Sequence, residues 1–78
     1  MDPFDRITFD RRVMGGRACV RGLRITVSLL VNLVANGMTA DQIVAEYPDL
    51  QPEDVRQALQ YAAALATEEV RELGEAHE

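Results

Sequence analysis

Arg17, Arg21 and Arg24 are the residues best equipped for chemistry. They lie in a glycine-punctuated stretch, Gly15 to Val27, reading Gly-Gly-Arg-Ala-Cys-Val-Arg-Gly-Leu-Arg-Ile-Thr-Val. A guanidinium is always charged and planar, and it grips a carboxylate or phosphate through two parallel hydrogen bonds. Small and β-branched residues (Cys19, Val20, Ile25, Val27) alternate with the arginines, so a strand here is expected to show one apolar and one cationic face. Gly15-Gly16 and Gly22 mark the expected turns.

Other reactive residues lack partners. Cys19 has no basic residue beside it, and His77, the sole histidine, lies in the last residues, which are expected to fray, so a thiol nucleophile with its base is not expected. A small buried apolar role suits Cys19 better. The acids of residues 41–54 have no metal-ligand spacing with His or Cys and read as helix caps and solvated faces. Gly15-Gly16 lacks the pattern and the lysine of a phosphate loop. No enzyme, cofactor or metal is expected. One cysteine gives no disulfide framework, which suits a reducing cytoplasm.

The elements that must position the arginines follow from local signals. Asp5 to Asp10 places Ile7 and Phe9 on one side and Arg6 and Thr8 on the other, a short half-buried strand. A second strand over Ala18 to Arg21 can pair with it. An isolated hairpin is marginal in water, so this β-unit, about residues 5–26, must pack on helices or on another copy. Thr26 is the expected N-cap of a first helix carrying Val27, Leu30, Val31 and Val34, with Gly37 as its C′ residue. Thr39 and Gln42 form a capping box for a second helix, Ala40 to Glu46, with Met38 stapled onto Ile43 and Tyr47-Pro48 as its stop. Pro52 suits N1 of a third helix, with Glu53 and Asp54 in its first turn and Leu50 against Val55 as a second staple.

This third helix is expected to keep an apolar seam at Val55, Leu59, Ala62, Ala66 and Leu73, and to end near Gly74, leaving a tail of residues 74–78. A two-turn helix, a short connection and a longer helix is the order of a helix-turn-helix, so residues 27–73 read as a helical unit behind the β-unit. The fold expected is mainly α.

Seventy-eight residues make one domain, and a chain of this size buries only roughly 60% of its unfolded surface, which favours oligomerisation. A homodimer is expected through Ile7, Phe9, Leu59, Ala62, Ala66 and Leu73. The net charge of −5 conceals a split. Residues 1–30 hold six arginines against three aspartates, or +3, while residues 31–78 hold two arginines against ten acids, or −8. The basic end suits an anionic partner. No apolar run reaches the roughly 20 residues of a membrane span, and the acidic Met1-Asp-Pro-Phe-Asp start leads into no apolar segment, so no secretory leader is expected.

Several motifs agree in order and spacing with one family. Ile7-x-Phe9-Asp10, Val13-x-Gly15-Gly16-Arg17, Val20-Arg21-Gly22-x-Arg24-Ile25-x-Val27, Gly37-Met38-Thr39 and Tyr47-Pro48-Asp49-Leu50 resemble domain-of-unknown-function family 433 over roughly residues 6–66. The chain departs from the family pattern at Arg11 and Thr26, where proline is common, and at Leu23, where threonine is usual. The resemblance implies a three-helix, homeodomain-like helix-turn-helix unit behind a short two-stranded β-unit. It also implies an antitoxin of a type II toxin-antitoxin module, binding and neutralising a PIN-like ribonuclease toxin, with DNA-binding autoregulation as an associated activity. Such nucleases hold their metal in an acidic pocket, so Arg17, Arg21 and Arg24 are the expected partner-binding residues, each able to enter that pocket and displace the metal; for Arg21 and Arg24 the alternative is an ion pair from the β-unit to the helices of the same domain.

An autonomous dimeric helix-turn-helix transcriptional regulator is the first alternative. Its candidate DNA contacts are Arg11, Arg12, Arg56, Gln57 and Gln60, although Glu53 and Asp54 at the start of the recognition helix would oppose phosphates. A β-unit paired between two copies and presenting Arg17 and Arg21, as in β-ribbon readers, is therefore the better route to DNA. A non-catalytic dimeric adaptor is the second.

Overall fold

The computed structural model describes the backbone of residues 4–77 and the side chains of residues 4–66. Within it the chain is mainly helical, with three helices behind a two-stranded antiparallel sheet. Strand β1 is Ile7–Thr8 and β2 is Cys19–Val20, paired Ile7 to Val20 and Thr8 to Cys19. Both strands are shorter than the alternation suggested. Residues 9–18 connect them and contain a tight turn at Met14–Gly16, all three of whose residues have positive φ.

β2 has neighbours on both edges. After Val20 the chain reverses through Arg21 (φ 45) and Gly22 (φ 71), with Leu23 N donating to the Val20 carbonyl at 2.7 Å. Positive φ at both central residues is the type I′ pattern that matches strand twist. Val20 N then donates to the Ile25 carbonyl at 3.0 Å and Cys19 bridges Thr26, so residues 25–26 lie along the second edge. Cys19 and Val20 are consequently both buried, and the expected division of this strand into an apolar and a cationic face does not hold. Phe9 also departs from expectation. β1 ends at Thr8, before the side-chain alternation can reach Phe9, which is 62% exposed while Ile7 is buried.

The helices follow their local signals closely. Helix α1, Val27–Ala35, is capped by Thr26, whose side chain accepts from Leu29 N. At its other end Gly37 (φ 97) lets Gly37 N reach the Val34 carbonyl and Met38 N the Leu33 carbonyl, the paired bonds of a Schellman ending. Helix α2, Ala40–Glu46, carries the complete Thr39–Gln42 capping box. Helix α3 is Pro52–His77, so the backbone continues through Gly74 and the expected end there is not observed. The Leu73 contact expected at a dimer interface, like every side chain beyond residue 66, lies outside the described residues.

Val20, Val27, Leu30, Ile43, Leu50, Val55 and Ala58 form the core with Ile7. α1 and α2 both rest on the N-terminal half of α3, and the β-unit covers a further side of it. That half-helix is therefore buried around more of its circumference than a single apolar seam would be, taking in Asp54 and Gln57 as well as Val55 and Ala58. Among the described residues no helix is long and apolar enough to cross a membrane.

Candidate interaction surfaces

Among the described residues, one carboxylate with no solvent exposure gathers four hydrogen bonds. Asp54, in the first turn of α3, is 0% exposed. Its Oδ1 accepts from Arg6 Nη1 at 2.7 Å and Arg21 Nε at 3.0 Å. Oδ2 accepts from Arg21 Nη2 and from the backbone N–H of Gln51, both at 2.8 Å. Four bonds match the roughly four lone-pair positions of a carboxylate. Burial pushes the carboxyl pKa up, but the bonds from Arg21, Gln51 N–H and Arg6, together with the charge of Arg21, outweigh it and hold Asp54 at about 2. The Asp54 bonds hold the Arg21 guanidinium more firmly charged.

Arg21 grips this carboxylate in the two-pronged geometry that arginine favours, and its Nη2 also reaches the Asp49 carbonyl at 2.7 Å. The I′ turn that places Arg21 here forces a non-glycine residue into left-handed backbone, which costs roughly 1–2 kcal/mol. The bonds to Asp54 and Asp49 offset that strain. Arg6 completes the junction, with Nη1 also donating to Gln51 Oε1 at 2.9 Å. Next to it Gln57 accepts from Arg6 N at 2.6 Å and donates to Asp5 Oδ1 at 3.0 Å. Residues far apart in the chain are thereby fixed into one connection between the β-unit and the loop that joins α2 to α3.

These bonds bear on two expectations. Asp54 does not oppose phosphates, because it is enclosed and neutralised by arginines of its own chain. Gln57 was a candidate base-reading residue, but it is 6% exposed with both ends of its amide occupied inside the domain. The acid left at the start of α3, Glu53, is held by Arg56, whose Nη2 lies 2.6 Å from Glu53 Oε2. That pairing lowers the Glu53 carboxyl pKa. Gln60 is exposed.

The remaining arginines divide sharply. Arg12 pairs with Asp10 on the surface at 3.3 Å. Arg11, Arg17 and Arg24 are exposed and have no hydrogen bond from the side chain and no ion pair among the described residues. Of the three expected partner-binding residues, then, Arg21 is engaged within the domain, whereas Arg17 and Arg24 project from the β-unit without a carboxylate partner among the described residues. Cys19 is 1% exposed, and burial pushes its thiol pKa up, which makes it a poor nucleophile. Among the described residues no three His, Cys, Asp or Glu side chains are grouped as a metal site would require.

A groove of about 620 Å³, with the polar Ser28 and Asn32 of α1 among its lining, opens between α1 and α3, with the β-unit at one end. Its walls include Phe9, Val31, Tyr61, Ala62, Leu65 and Ala66. Tyr61 supports Phe9 at a ring separation of 6.1 Å and packs edge-on against Phe4 at 5.4 Å. Three of the expected dimer residues, Phe9, Ala62 and Ala66, meet at this groove. Ile7 belongs instead to the core, and Leu59 is half-buried against it.

The model of the family described as protein of unknown function (DUF433) matches residues 7–62. The chain belongs to this family. The matched span starts at β1 and runs into α3, so it takes in both strands, Arg21, Asp54 and the loop that Arg21 holds, while Arg6 lies just before it. No curated protein and no solved structure was found to match the chain.

Proposed function

We propose that the protein is the antitoxin of a type II toxin-antitoxin module, a cytoplasmic binding protein that neutralises a PIN-like ribonuclease and works as a homodimer. The observation that carries the reading is the state of the arginines. Arg17 and Arg24 project from a β-unit anchored to the helices, and neither has an internal carboxylate among the described residues. An acidic metal pocket in a partner would supply one. Arg21 then serves as the anchor that holds the Arg24 loop in place, and Arg11 adds positive charge near Gly16.

DNA-binding autoregulation is the associated activity, on a homeodomain-like reading of α2, residues 47–51 and α3. With Gln57 and Asp54 enclosed and Arg56 paired to Glu53, the start of α3 offers few groups to a base edge. The exposed arginines of the β-unit are better placed for phosphate contacts in the manner of a β-ribbon. The same cations therefore serve either partner, and salt dependence separates the two uses.

The test is co-purification of the Arg17→Ala/Arg24→Ala variant with the nuclease encoded beside this gene. Leaving a partner's buried carboxylates unpaired costs about 2 kcal/mol or more, at least roughly thirtyfold in affinity. Nuclease inhibition should fall accordingly while the melting temperature of the isolated protein holds. Undiminished inhibition and affinity would refute the arginine mechanism. An adjacent gene that encodes no nuclease, together with a salt-sensitive mobility shift on duplex DNA, would favour the autonomous regulator.

A further inference from the structure

The groove between α1 and α3 is an unfinished part of the core. Phe9 and Leu65 on its walls are 62% and 53% exposed, although both are large and apolar.

We propose that a second copy of this chain occupies the groove, seating its own α3 against α1, α3 and Phe9 in a two-fold arrangement. The proposal rests on the homodimer reading above and assigns it a surface. Ala62 and Ala66 lie where α3 enters the groove, and their small side chains let a second helix approach closely. The sequence continues with Val70 and Leu73 in the same spacing of threes and fours, and α3 extends to His77. Charge favours this occupant. Residues 67–78 contain five glutamates and one arginine, whereas residues 1–30 carry a net charge of +3, so the C-terminal residues of one copy are opposite in charge to the N-terminal part of the other. Because Phe9 immediately precedes Asp10-Arg11-Arg12, covering it also fixes the start of the arginine loop.

Light scattering coupled to size exclusion tests this on the full chain at micromolar concentration, with circular dichroism as the check on folding. The unaltered protein should have the mass of two chains. Leu65→Glu and Phe9→Ser should shift it to one chain, raising the dimer dissociation constant at least about thirtyfold with helicity unchanged. Ala66→Arg, also at an exposed position, serves where Leu65→Glu misfolds. Arg24→Ala, away from the groove, should remain dimeric. If the unaltered protein is a single chain, both the homodimer reading and this proposal fail. If the groove variants remain dimeric, the groove assignment alone is overturned and another surface joins the copies. A single-chain protein whose groove variants lose the nuclease would assign the groove to that partner, which also overturns the proposal.

Discussion

The junction around Asp54 and the loops carrying Arg11, Arg17 and Arg24 use the same residue type in opposite ways. Arg21 and Arg24 are three residues apart on one reversal of the chain, yet Arg21 closes onto a buried carboxylate and Arg24 meets solvent. Their difference comes from what the helices bring to each position. Asp54 is presented by the first turn of α3, directly under the left-handed turn that directs Arg21 inward. No described carboxylate is presented to Arg24. A guanidinium that is satisfied inside a small domain contributes stability, and one left unsatisfied at its surface is available for recognition.

The sharpest way to break this contrast is to remove the carboxylate. Asp54→Ala leaves Arg6 and Arg21 partly buried and unpaired and frees the Gln51 N–H, and disruptions of this kind cost about 3 kcal/mol or more. Urea denaturation should show the loss, and a domain this small is expected to be largely unfolded at elevated temperature. An unchanged midpoint would mean that the junction adds nothing to stability.

Acid should undo the same contact by degrees. Asp54 is held at about 2 in the fold against an ordinary value of 3.8. Its folded pKa is depressed, so the contribution is complete above the unfolded value and is lost as pH falls from about 5 through 2. The shift corresponds to about 2 kcal/mol. Denaturation midpoints measured between pH 6 and pH 2 should fall across this window, and Asp54→Asn should flatten that dependence. An equally steep fall in the Asn variant would assign the acid sensitivity to other carboxylates.

The smallest effects sharpen the comparison between the arginines themselves. Arg21→Ala removes both prongs from Asp54 but leaves Arg6 and Gln51 in place, an expected loss of about 2 kcal/mol. Arg17→Ala and Arg24→Ala should each stay within about 0.5 kcal/mol, as surface changes do. Thermal melts of the three variants side by side suffice. A destabilisation by Arg24→Ala equal to that of Arg21→Ala would erase the proposed division of labour.

The helices were legible because their signals are local. Thr26, the Thr39–Gln42 box, Gly37 and Pro52 each act on backbone groups within one turn, so the sequence places these boundaries without knowledge of the rest. α3 is the exception, since Gly74 breaks a helix only by a modest propensity and the backbone continues past it. The β-unit was legible in kind but not in facing. A strand of two residues is too short for alternation to settle, and contacts on both edges of β2 decided which side chains were covered. Least legible was the junction itself. Nothing near Asp54 in sequence distinguishes it from Glu53, its acidic neighbour, which is paired at the surface, because the arginines that enclose Asp54 lie 48 and 33 positions away. Gln57 likewise reads as a polar surface residue until the β-unit is laid across it. Sequence alone determined where the helices begin and which residues carry charge. The packing of the β-unit on α3 decided which charges were neutralised inside the fold and which remained free, because that depends on distances set only when remote segments meet.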